Sequence, residues 1–255
     1  MTALVRDLRL RRGRERRGLA LAEGIRLVEE ALAARGRGGV AIRHVLATPA
    51  LEASPRGRRL QAGLKKALVS VESVGEPTFS TLTATENPQG VLAVVQLPVW
   101  AAADLTPGLR APVLVLDAVQ DPGNVGTMIR TAFALGAAGV ITLPGTAELA
   151  NPKTLRATMG AAFHLPVVSL EEEELRRWVA QARVRLLLAE AGQKFPERLT
   201  EPLAIVVGNE GAGIRPSLAS WAGGSIGIPL RPGAESLNVA IAAGILLYEV
   251  TADRD

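Results

Sequence analysis

The sequence predicts a two-domain α/β protein whose larger, second domain is built on a mainly parallel sheet. From Val113 onward, short apolar runs alternate with segments of helical periodicity, which is the pattern of a parallel sheet with helices on both faces. Between Pro98 and Pro112 the chain holds three prolines and an alanine run, which is typical of a linker. We therefore predict a smaller α/β domain at 1–97, a linker at 98–111 and a second domain at 112–255.

Composition narrows the class of protein. The 255 residues are 48% hydrophobic, yet no apolar run approaches the roughly 18–20 residues that span a bilayer. The N-terminus is Arg-rich and lacks the apolar core of a signal peptide. Cysteine is absent, which excludes disulfides, thiolate zinc sites and a cysteine nucleophile, and fits a cytoplasmic protein. Because His44 and His164 are far apart in the chain, no metal site is expected.

The charge is distributed unevenly along the chain. Residues 1–66 hold 16 Lys and Arg against 6 Asp and Glu, whereas the remaining residues hold 13 against 19. Of the 29 basic residues, 25 are Arg, a residue that binds phosphate bidentately and stacks on bases, although GC-rich coding also favours it. A basic first domain followed by an acidic remainder indicates a polyanion-binding domain joined to a second domain with a different role.

The first domain is predicted to be a compact α/β unit. Residues 1–17 are dense in Arg and are interrupted by Gly13, so we expect a solvated arm or a phosphate-contacting surface and not a stable buried helix. The other predicted elements are a helix at 21–34, a strand at 40–47, a helix at 61–68, a strand at 69–74, a helix start or turn at 78–85 and a strand at 91–97.

The second domain has six predicted strands and four predicted helices. The strands are at 113–116, 140–143, 166–169, 184–189, 203–207 and 225–228, and the helices are at 124–135, 151–159, 169–182 and 237–250. Asn151 followed by Pro152 is typical of a helix start, and Ser169 with Glu172 has the spacing of a capping box. Ser236 is the predicted N-cap of the last helix.

Three loops that follow strands of the second domain concentrate polar residues and glycines. Residues 117–130 pass from a strand through the turn Asp-Pro-Gly-Asn into a helix that carries Arg130. Residues 205–214 and 226–240 each leave an apolar strand for a loop of polar residues and glycines, and 226–240 then enters an apolar helix. In an open α/β sheet, ligands bind at the carboxyl ends of strands, so these loops are the candidate site.

Each loop also has a purely structural interpretation. Residues 117–130 make a competent strand-to-helix connection, 205–214 a Gly-rich surface turn, and 226–240 a helix cap above a buried helix. The 205–214 loop is not a phosphate-binding loop, because no Lys-Ser/Thr follows, and its glycine spacing does not fit a dinucleotide fingerprint. Its glycines instead let the backbone approach a ligand closely.

In this order, the three loops resemble the three motifs of the SpoU-type RNA 2′-O-ribose methyltransferases of the SPOUT superfamily. The matching text is DPGNVGTMIRTA at 121–132, IVVGNEGAG at 205–213 and IPLRPGAESLNVAIAAGILLYE at 228–249, with NPKTLRATMGAAFHLPV at 151–167. ALAEGIRLVEEAL at 20–32 and NPQGVLAVV at 87–95 are similar to the family's L30e/L7Ae-like substrate-binding domain. The resemblance implies a deep trefoil knot in the second domain, a feature that periodicity does not predict.

The resemblance also implies a chemistry: S-adenosylmethionine as methyl donor, a ribose 2′-hydroxyl of RNA as acceptor, and a homodimer. The implied catalytic residues are Asn124, Arg130, Glu210, Ser236 and Asn238. The implied cofactor-binding residues are Val207, Gly208, Asn209, Gly211, Ile228, Pro229 and Leu237. In the family the motif-one arginine contacts the target phosphate and helps to deprotonate the hydroxyl, but a guanidinium stays protonated, so we expect Arg130 to orient the hydroxyl.

Ribosomal RNA, most specifically 23S, is favoured over tRNA as the substrate, because the family's tRNA enzymes often carry only short terminal extensions. A tRNA 2′-O-methyltransferase is the first alternative. The second is a catalytically inert RNA-binding or ribosome-associated protein of the same fold, which the intact polar residues of the three loops disfavour.

Overall fold

The computed structural model describes residues 1–85, 87–195 and 200–252, which form two compact units. The first unit contains Met1–Val99 together with Glu148–His164, and the second contains the remainder. Two features of this division differ from the predicted domains. Residues 100–111 belong to the second unit, and Glu148–His164 leaves the second unit's sequence to pack in the first.

The first unit is built on a four-stranded sheet. Its strands are β1 (Ala20–Glu23), β2 (Ala41–Ala47), β3 (Val71–Ser73) and β4 (Val91–Gln96), in the order β1-β4-β2-β3. β4 pairs antiparallel with β1 and β2, whereas β3 pairs parallel with β2. We did not predict β1, because its four residues are all buried and show no alternation that separates a strand from the helix after it.

Among its described residues, six α-helices and three short 3₁₀ helices complete the first unit. The α-helices are α1 (Thr2–Leu8), α2 (Arg11–Arg17), α3 (Ile25–Ala33), α4 (Pro55–Lys66), α5 (Glu76–Leu82) and α7 (Pro152–Ala157), and the 3₁₀ helices are Arg37–Gly39, Pro49–Ala53 and Ala161–Phe163. Leu155, Ala162 and Phe163 lie in the same hydrophobic core as α3 and β4. The excursion Glu148–His164 is therefore an integral part of this unit.

The arginine-rich N-terminus is folded, and our expectation against a stable buried helix there is wrong. Val5 and Leu8 of α1 are fully buried. Gly13 permits the close approach of α2, because a Cβ at this position would lie 2.0 Å from the carbonyl oxygen of Asp7. Arg14 is only 5% exposed; it pairs with Glu148 and donates to the carbonyl oxygens of Leu8 and Arg9.

Arg14→Met should destabilise the protein by about 3 kcal/mol, because among the described residues the Glu148 carboxylate keeps only Arg11, at 3.9 Å, and the carbonyl oxygens of Leu8 and Arg9 lose a donor. Arg16→Met is the matched control: Arg16 is exposed and pairs with Asp7 at the surface, so it should cost below about 1 kcal/mol. Chemical denaturation of both variants measures the difference. Equal losses would contradict a structural role for the buried guanidinium.

The second unit is built on a six-stranded sheet in which every neighbouring pair is parallel. The strands are β5 (Val113–Leu116), β6 (Gly139–Thr142), β7 (Val167–Ser169), β8 (Arg185–Ala189), β9 (Leu203–Val207) and β10 (Ser225–Ile226), in the order β10-β8-β9-β5-β6-β7. The α-helices are α6 (Pro122–Ala134), α8 (Glu172–Ala182), α9 (Pro216–Ala219) and α10 (Val239–Thr251), with a 3₁₀ helix at Ala102–Asp104. The predicted α/β class is confirmed.

Of three helix starts predicted in the second half of the chain, one is confirmed and two are wrong. Asn151 caps α7 as predicted, with Pro152 at the first helical position. The capping box predicted at Ser169 is wrong, because α8 begins after Glu171, whose backbone N–H donates to Glu174 at 2.8 Å. The predicted cap Ser236 is also wrong, since Asn238 caps α10.

Sheet order determines which loops meet. Leu116 at the end of β5 is in register with Val207 at the end of β9, and β8 and β10 follow on the other side of β9. The loops after these four strands therefore leave the same edge of the sheet. Among the described residues, no helix has both the length and the apolar character needed to cross a membrane.

Candidate functional site

A cavity of about 540 Å³ opens at the carboxyl edge of the parallel sheet, beyond β8, β9 and β10. Its lining is mainly glycine and small apolar residues with a few polar groups. The lining residues are Ala189, Glu190, Ala191, Val207, Gly208, Asn209, Glu210, Gly211, Gly213, Ile214, Gly227, Ile228, Leu230, Ser236, Leu237, Asn238, Val239, Ala242 and Leu246. Such a slot suits a flat, partly apolar ligand held by backbone groups.

Two glycines of the lining are required by close backbone contacts. A Cβ on Gly208 would lie 2.4 Å from the carbonyl carbon of Gly213 and 2.5 Å from the amide nitrogen of Ile214. A Cβ on Gly227 would lie 2.3 Å from the carbonyl oxygen of Glu190. Side chains at these positions would push the loops apart, so the glycines set the shape of the cavity.

The side chain and backbone of Asn209 hold the loop after β9 in place through hydrogen bonds. Its Nδ2 donates to the carbonyl oxygen of Ala118 at 2.9 Å, and its Oδ1 accepts from the backbone N–H groups of Gly211 and Ala212. Its backbone exchanges two 3.0 Å hydrogen bonds with Gly213. Because its side chain is engaged within the protein, Asn209 contributes to the cavity through its backbone.

Three residues predicted to be catalytic form a connected polar chain. Asn124 Nδ2 donates to Glu210 Oε1 at 3.0 Å, and Asn238 Nδ2 donates to Asn124 Oδ1 at 3.2 Å. Asn238 Oδ1 also accepts from the backbone N–H groups of Ala240 and Ile241, which caps α10. The chain thus ties together the loops after β5, β9 and β10.

Glu210 is ionised within this network. Burial by itself would raise the pKa of its carboxyl, but hydrogen bonds from the Asn124 amide and from the backbone N–H groups of Glu210, Gln120 and Asp121 lower it. The net effect is a pKa below the ordinary value of 4.5. Glu210 therefore acts as a permanent acceptor at neutral pH and is unsuited to general-base work.

The lowered pKa of Glu210 predicts an acid-sensitive loop. A carboxylate with a depressed folded-state pKa contributes stability that is fully present above pH 4.5 and is lost as the pH falls through the folded value. The amide resonance of Gln120, which donates to Glu210 Oε2, should therefore titrate with a midpoint below the ordinary carboxyl value of 4.5. Glu210→Gln should abolish that titration, whereas exposed Glu235→Gln should leave it in place. A titration that survives Glu210→Gln would exclude this assignment.

Arg130 and Pro229 are the predicted site residues that stand apart from the cavity and from the polar chain. Arg130 is exposed on α6, and within the described residues its guanidinium has no hydrogen-bond or ion-pair partner. Ser236 lines the cavity, and so do the predicted cofactor residues Val207, Gly208, Asn209, Gly211, Ile228 and Leu237.

Two features at this edge of the sheet are not predicted from the sequence. The first is Ala189–Ala191 at the end of β8, which line the cavity because β8 lies beside β9 in the sheet. The second is an ion pair in which the buried Asp117 accepts from the backbone N–H of Arg215 at 2.7 Å and from its Nε at 2.6 Å. An acidic residue directly after a buried strand was the available signal for that pair.

The fold and the cavity define a class: an α/β enzyme domain with a cofactor cleft at the carboxyl edge of a parallel sheet. Residues 111–248 match the model of the SpoU rRNA Methylase family, and residues 4–93 match the MRM3-like substrate binding domain. The chain therefore belongs to the SpoU rRNA methylase family, and it is a methyltransferase with an appended substrate-binding domain.

Characterised relatives and solved structures agree with this membership. The chain is 37% identical over 250 residues to the 23S rRNA (guanosine(2553)-2′-O)-methyltransferase RlmP of Bacillus subtilis, covering 96% of this chain and 93% of that protein. An AdoMet-bound rRNA methyltransferase from Sinorhizobium meliloti is 32% identical with a TM-score of 0.84, covering 98% and 93% of the two chains. The SpoU methyltransferase AviRb of Streptomyces viridochromogenes, in complex with AdoMet, is 28% identical with a TM-score of 0.86, covering 97% and 95%.

Proposed function

We propose that this chain transfers the methyl group of S-adenosylmethionine to a ribose 2′-hydroxyl of 23S ribosomal RNA in the cytoplasm. The observation that carries the proposal is the cavity bounded by the loops after β8, β9 and β10, which the chain Glu210–Asn124–Asn238 joins to the loop after β5. Membership of the SpoU family and the rRNA 2′-O specificity of RlmP support the choice of reaction.

The residues present fit such a cofactor. The close approach of Gly208 and Gly227 to neighbouring backbone leaves a slot without side chains, and Ile228 and Leu237 supply apolar walls for an adenine and a methionine chain. When bound, S-adenosylmethionine supplies a methyl group on a positively charged sulfur, which is already an activated donor. The protein must then position the acceptor oxygen and assist loss of its proton.

Arg130, Asn124 and Asn238 are proposed to meet the RNA. The guanidinium of Arg130 has no partner among the described residues and can bind the phosphate next to the target ribose, which orients the 2′-hydroxyl. Ionised Glu210 holds Asn124, and Asn124 in turn holds Asn238. The arrangement therefore preorganises the loops without needing a mobile proton on Glu210.

We propose a homodimer in which α10 contacts a second copy. Ile241 and Tyr248 on α10 are 57% and 59% exposed, and Ile245 is also exposed on that helix. A contiguous apolar face of this kind on a charged protein is typical of a subunit contact. Sedimentation velocity of the purified chain distinguishes the dimer from a monomer.

The first unit, including Glu148–His164, is proposed to bind the RNA. The test uses purified protein, tritiated S-adenosylmethionine and separate samples of 23S rRNA, 16S rRNA, tRNA and ribosomal subunits from cells that lack the gene. Label in 23S rRNA alone is the expected result. Label in tRNA would replace the substrate assignment, and no label in any RNA or ribosomal subunit would favour the inert RNA-binding alternative.

A further inference from the structure

Helix α4 presents a cationic face that the proposed chemistry does not use. Its buried positions are Gly57, Leu60 and Leu64, which pack into the core of the first unit. Its exposed positions include four cations: Arg58, Arg59, Lys65 and Lys66. At 3.6 residues per turn these four lie within an arc of about 120°, directly opposite the buried positions. We call them the α4 cationic face.

The cations of this face lack the acidic partners that several other arginines of the unit have. Arg11 pairs with Glu15, Arg16 and Arg17 pair with Asp7, and Arg56 at the start of α4 pairs with Glu29. Within the described residues none of the four cations has an ion pair, and the Glu52 carboxylate nearby accepts from Gln61. Four arginines of residues 1–17 are therefore ion-paired, whereas Arg6, Arg9 and Arg12 are exposed without an ion pair among the described residues. On α4 no cation of the face is ion-paired, and Arg58 donates to the carbonyl oxygen of Glu52 at 2.7 Å.

Helix electrostatics does not explain the arrangement. Lys65 and Lys66 lie in the last turn of α4, where cations interact favourably with the helix dipole. Arg58 and Arg59 lie near its start, where cations are unfavourable, and the first turn has no acidic residue. Helix electrostatics therefore accounts for Lys65 and Lys66 but not for Arg58 and Arg59, whose place beside them indicates an external anionic partner.

An apolar side chain extends the surface at the end of the helix. Leu68 is 92% exposed and adopts φ of 54°, a left-handed conformation that is strained for leucine. An exposed, strained apolar group beside Lys65 and Lys66 has no role in the core. Together with the cations it forms a surface suited to a polyanion that also offers apolar rings, as RNA does.

We propose that the α4 cationic face binds the phosphodiester backbone of the substrate RNA, with Leu68 packing on an exposed base or ribose. This inference rests on the proposed function, because RNA is the polyanion that a SpoU methyltransferase acts on. It adds α4 as a substrate contact beside the arginine-rich residues 1–17, in which charge alone first indicated a phosphate-contacting surface.

The test compares two variants by RNA affinity over a series of salt concentrations, with 23S rRNA from cells that lack the gene as the probe. The first neutralises the face: Arg58→Gln, Arg59→Gln, Lys65→Gln and Lys66→Gln. Losing four phosphate contacts should reduce the slope of log affinity against log salt by about 3 and weaken binding more than tenfold at low salt. The matched control, Arg16→Gln with Arg17→Gln, should change affinity less than about twofold, since surface ion pairs contribute little.

Two further measurements separate RNA binding from folding and from chemistry. Leu68→Gly relieves the left-handed strain, so it should keep or raise the melting temperature while it lowers RNA affinity. For the four-site variant, methylation at saturating RNA should keep its kcat while KM rises, and cofactor affinity should be unchanged.

Each outcome bears on one proposal. An unchanged salt slope in the four-site variant, or an equal loss in the control, overturns the α4 assignment even if the wild type methylates RNA. If the wild type binds rRNA through α4 but transfers no methyl group to any RNA or ribosomal subunit, the proposed function is wrong, whereas the assignment of α4 as an RNA-binding surface is retained. The inference would also be overturned if the four-site variant lost affinity for an acidic protein but kept the RNA affinity of the wild type.

Discussion

Arg130→Ala should lower kcat/KM for methyl transfer by roughly 10²-fold or more, because loss of the phosphate contact lets the 2′-hydroxyl move from its attack position, and a shift of about 1 Å costs that much. The guanidinium lies exposed on α6 with no partner among the described residues, so its removal breaks no internal contact. Cofactor affinity and melting temperature should therefore be preserved. Single-turnover methylation with saturating enzyme separates this loss of chemistry from a loss of RNA binding.

Two variants sharpen the result for Arg130. Arg130→Lys keeps the charge but loses the planar fork, so it should recover only part of the rate if bidentate phosphate contact orients the ribose. Arg177→Ala on α8 removes an exposed arginine away from the site and should leave the rate unchanged. Near-normal turnover of Arg130→Ala would remove Arg130 from the mechanism.

Gly208→Ala should strongly weaken binding of the cofactor. The added methyl group would sit within 2.5 Å of three backbone atoms of Gly213 and Ile214, so the loop must open. Overpacking of this kind costs about 1–3 kcal/mol, and because the displaced backbone lines the cavity we expect cofactor affinity to fall roughly tenfold or more. Isothermal titration with S-adenosylmethionine measures the effect.

The same loop provides the control for Gly208. A Cβ on Gly211 would meet only Asn209 Oδ1, at 3.6 Å, an ordinary van der Waals contact, and Gly211 is not among the glycines with positive φ. Gly211→Ala should therefore bind the cofactor within a few-fold of the wild type. If both variants lose affinity equally, the backbone clash is not the reason that this loop is rich in glycine.

The parallel sheet was predictable because its strands are short, continuous apolar runs that end in turns. The bounds of β5 and β9 are those predicted from sequence, and both strands are buried throughout. The buried strand β1 and the folded N-terminus were not predictable in the same way. Helices α1 and α2 depend on the internal neutralisation of Arg14 by Glu148, a residue 134 positions away in the sequence.

The candidate site was predictable from sequence only in part. The glycines and polar residues of the three loops were identified, and the structure brings Asn124, Glu210 and Asn238 into one hydrogen-bonded chain. The capping residue of α10 depends on tertiary geometry. The contribution of Ala189–Ala191 to the lining depends on the position of β8 beside β9 in the sheet. The expected trefoil knot and homodimer came from family resemblance, because neither leaves a local signal in composition or periodicity.

The methyl group is expected on a ribose oxygen, and nucleoside analysis distinguishes this product from methylation of a base. 23S rRNA methylated by the wild-type protein with isotope-labelled S-adenosylmethionine is digested to nucleosides and analysed by mass spectrometry. We predict one labelled 2′-O-methylnucleoside, absent when Arg130→Ala replaces the wild type. Label on a base, or the same labelled ribose in both reactions, would contradict the account.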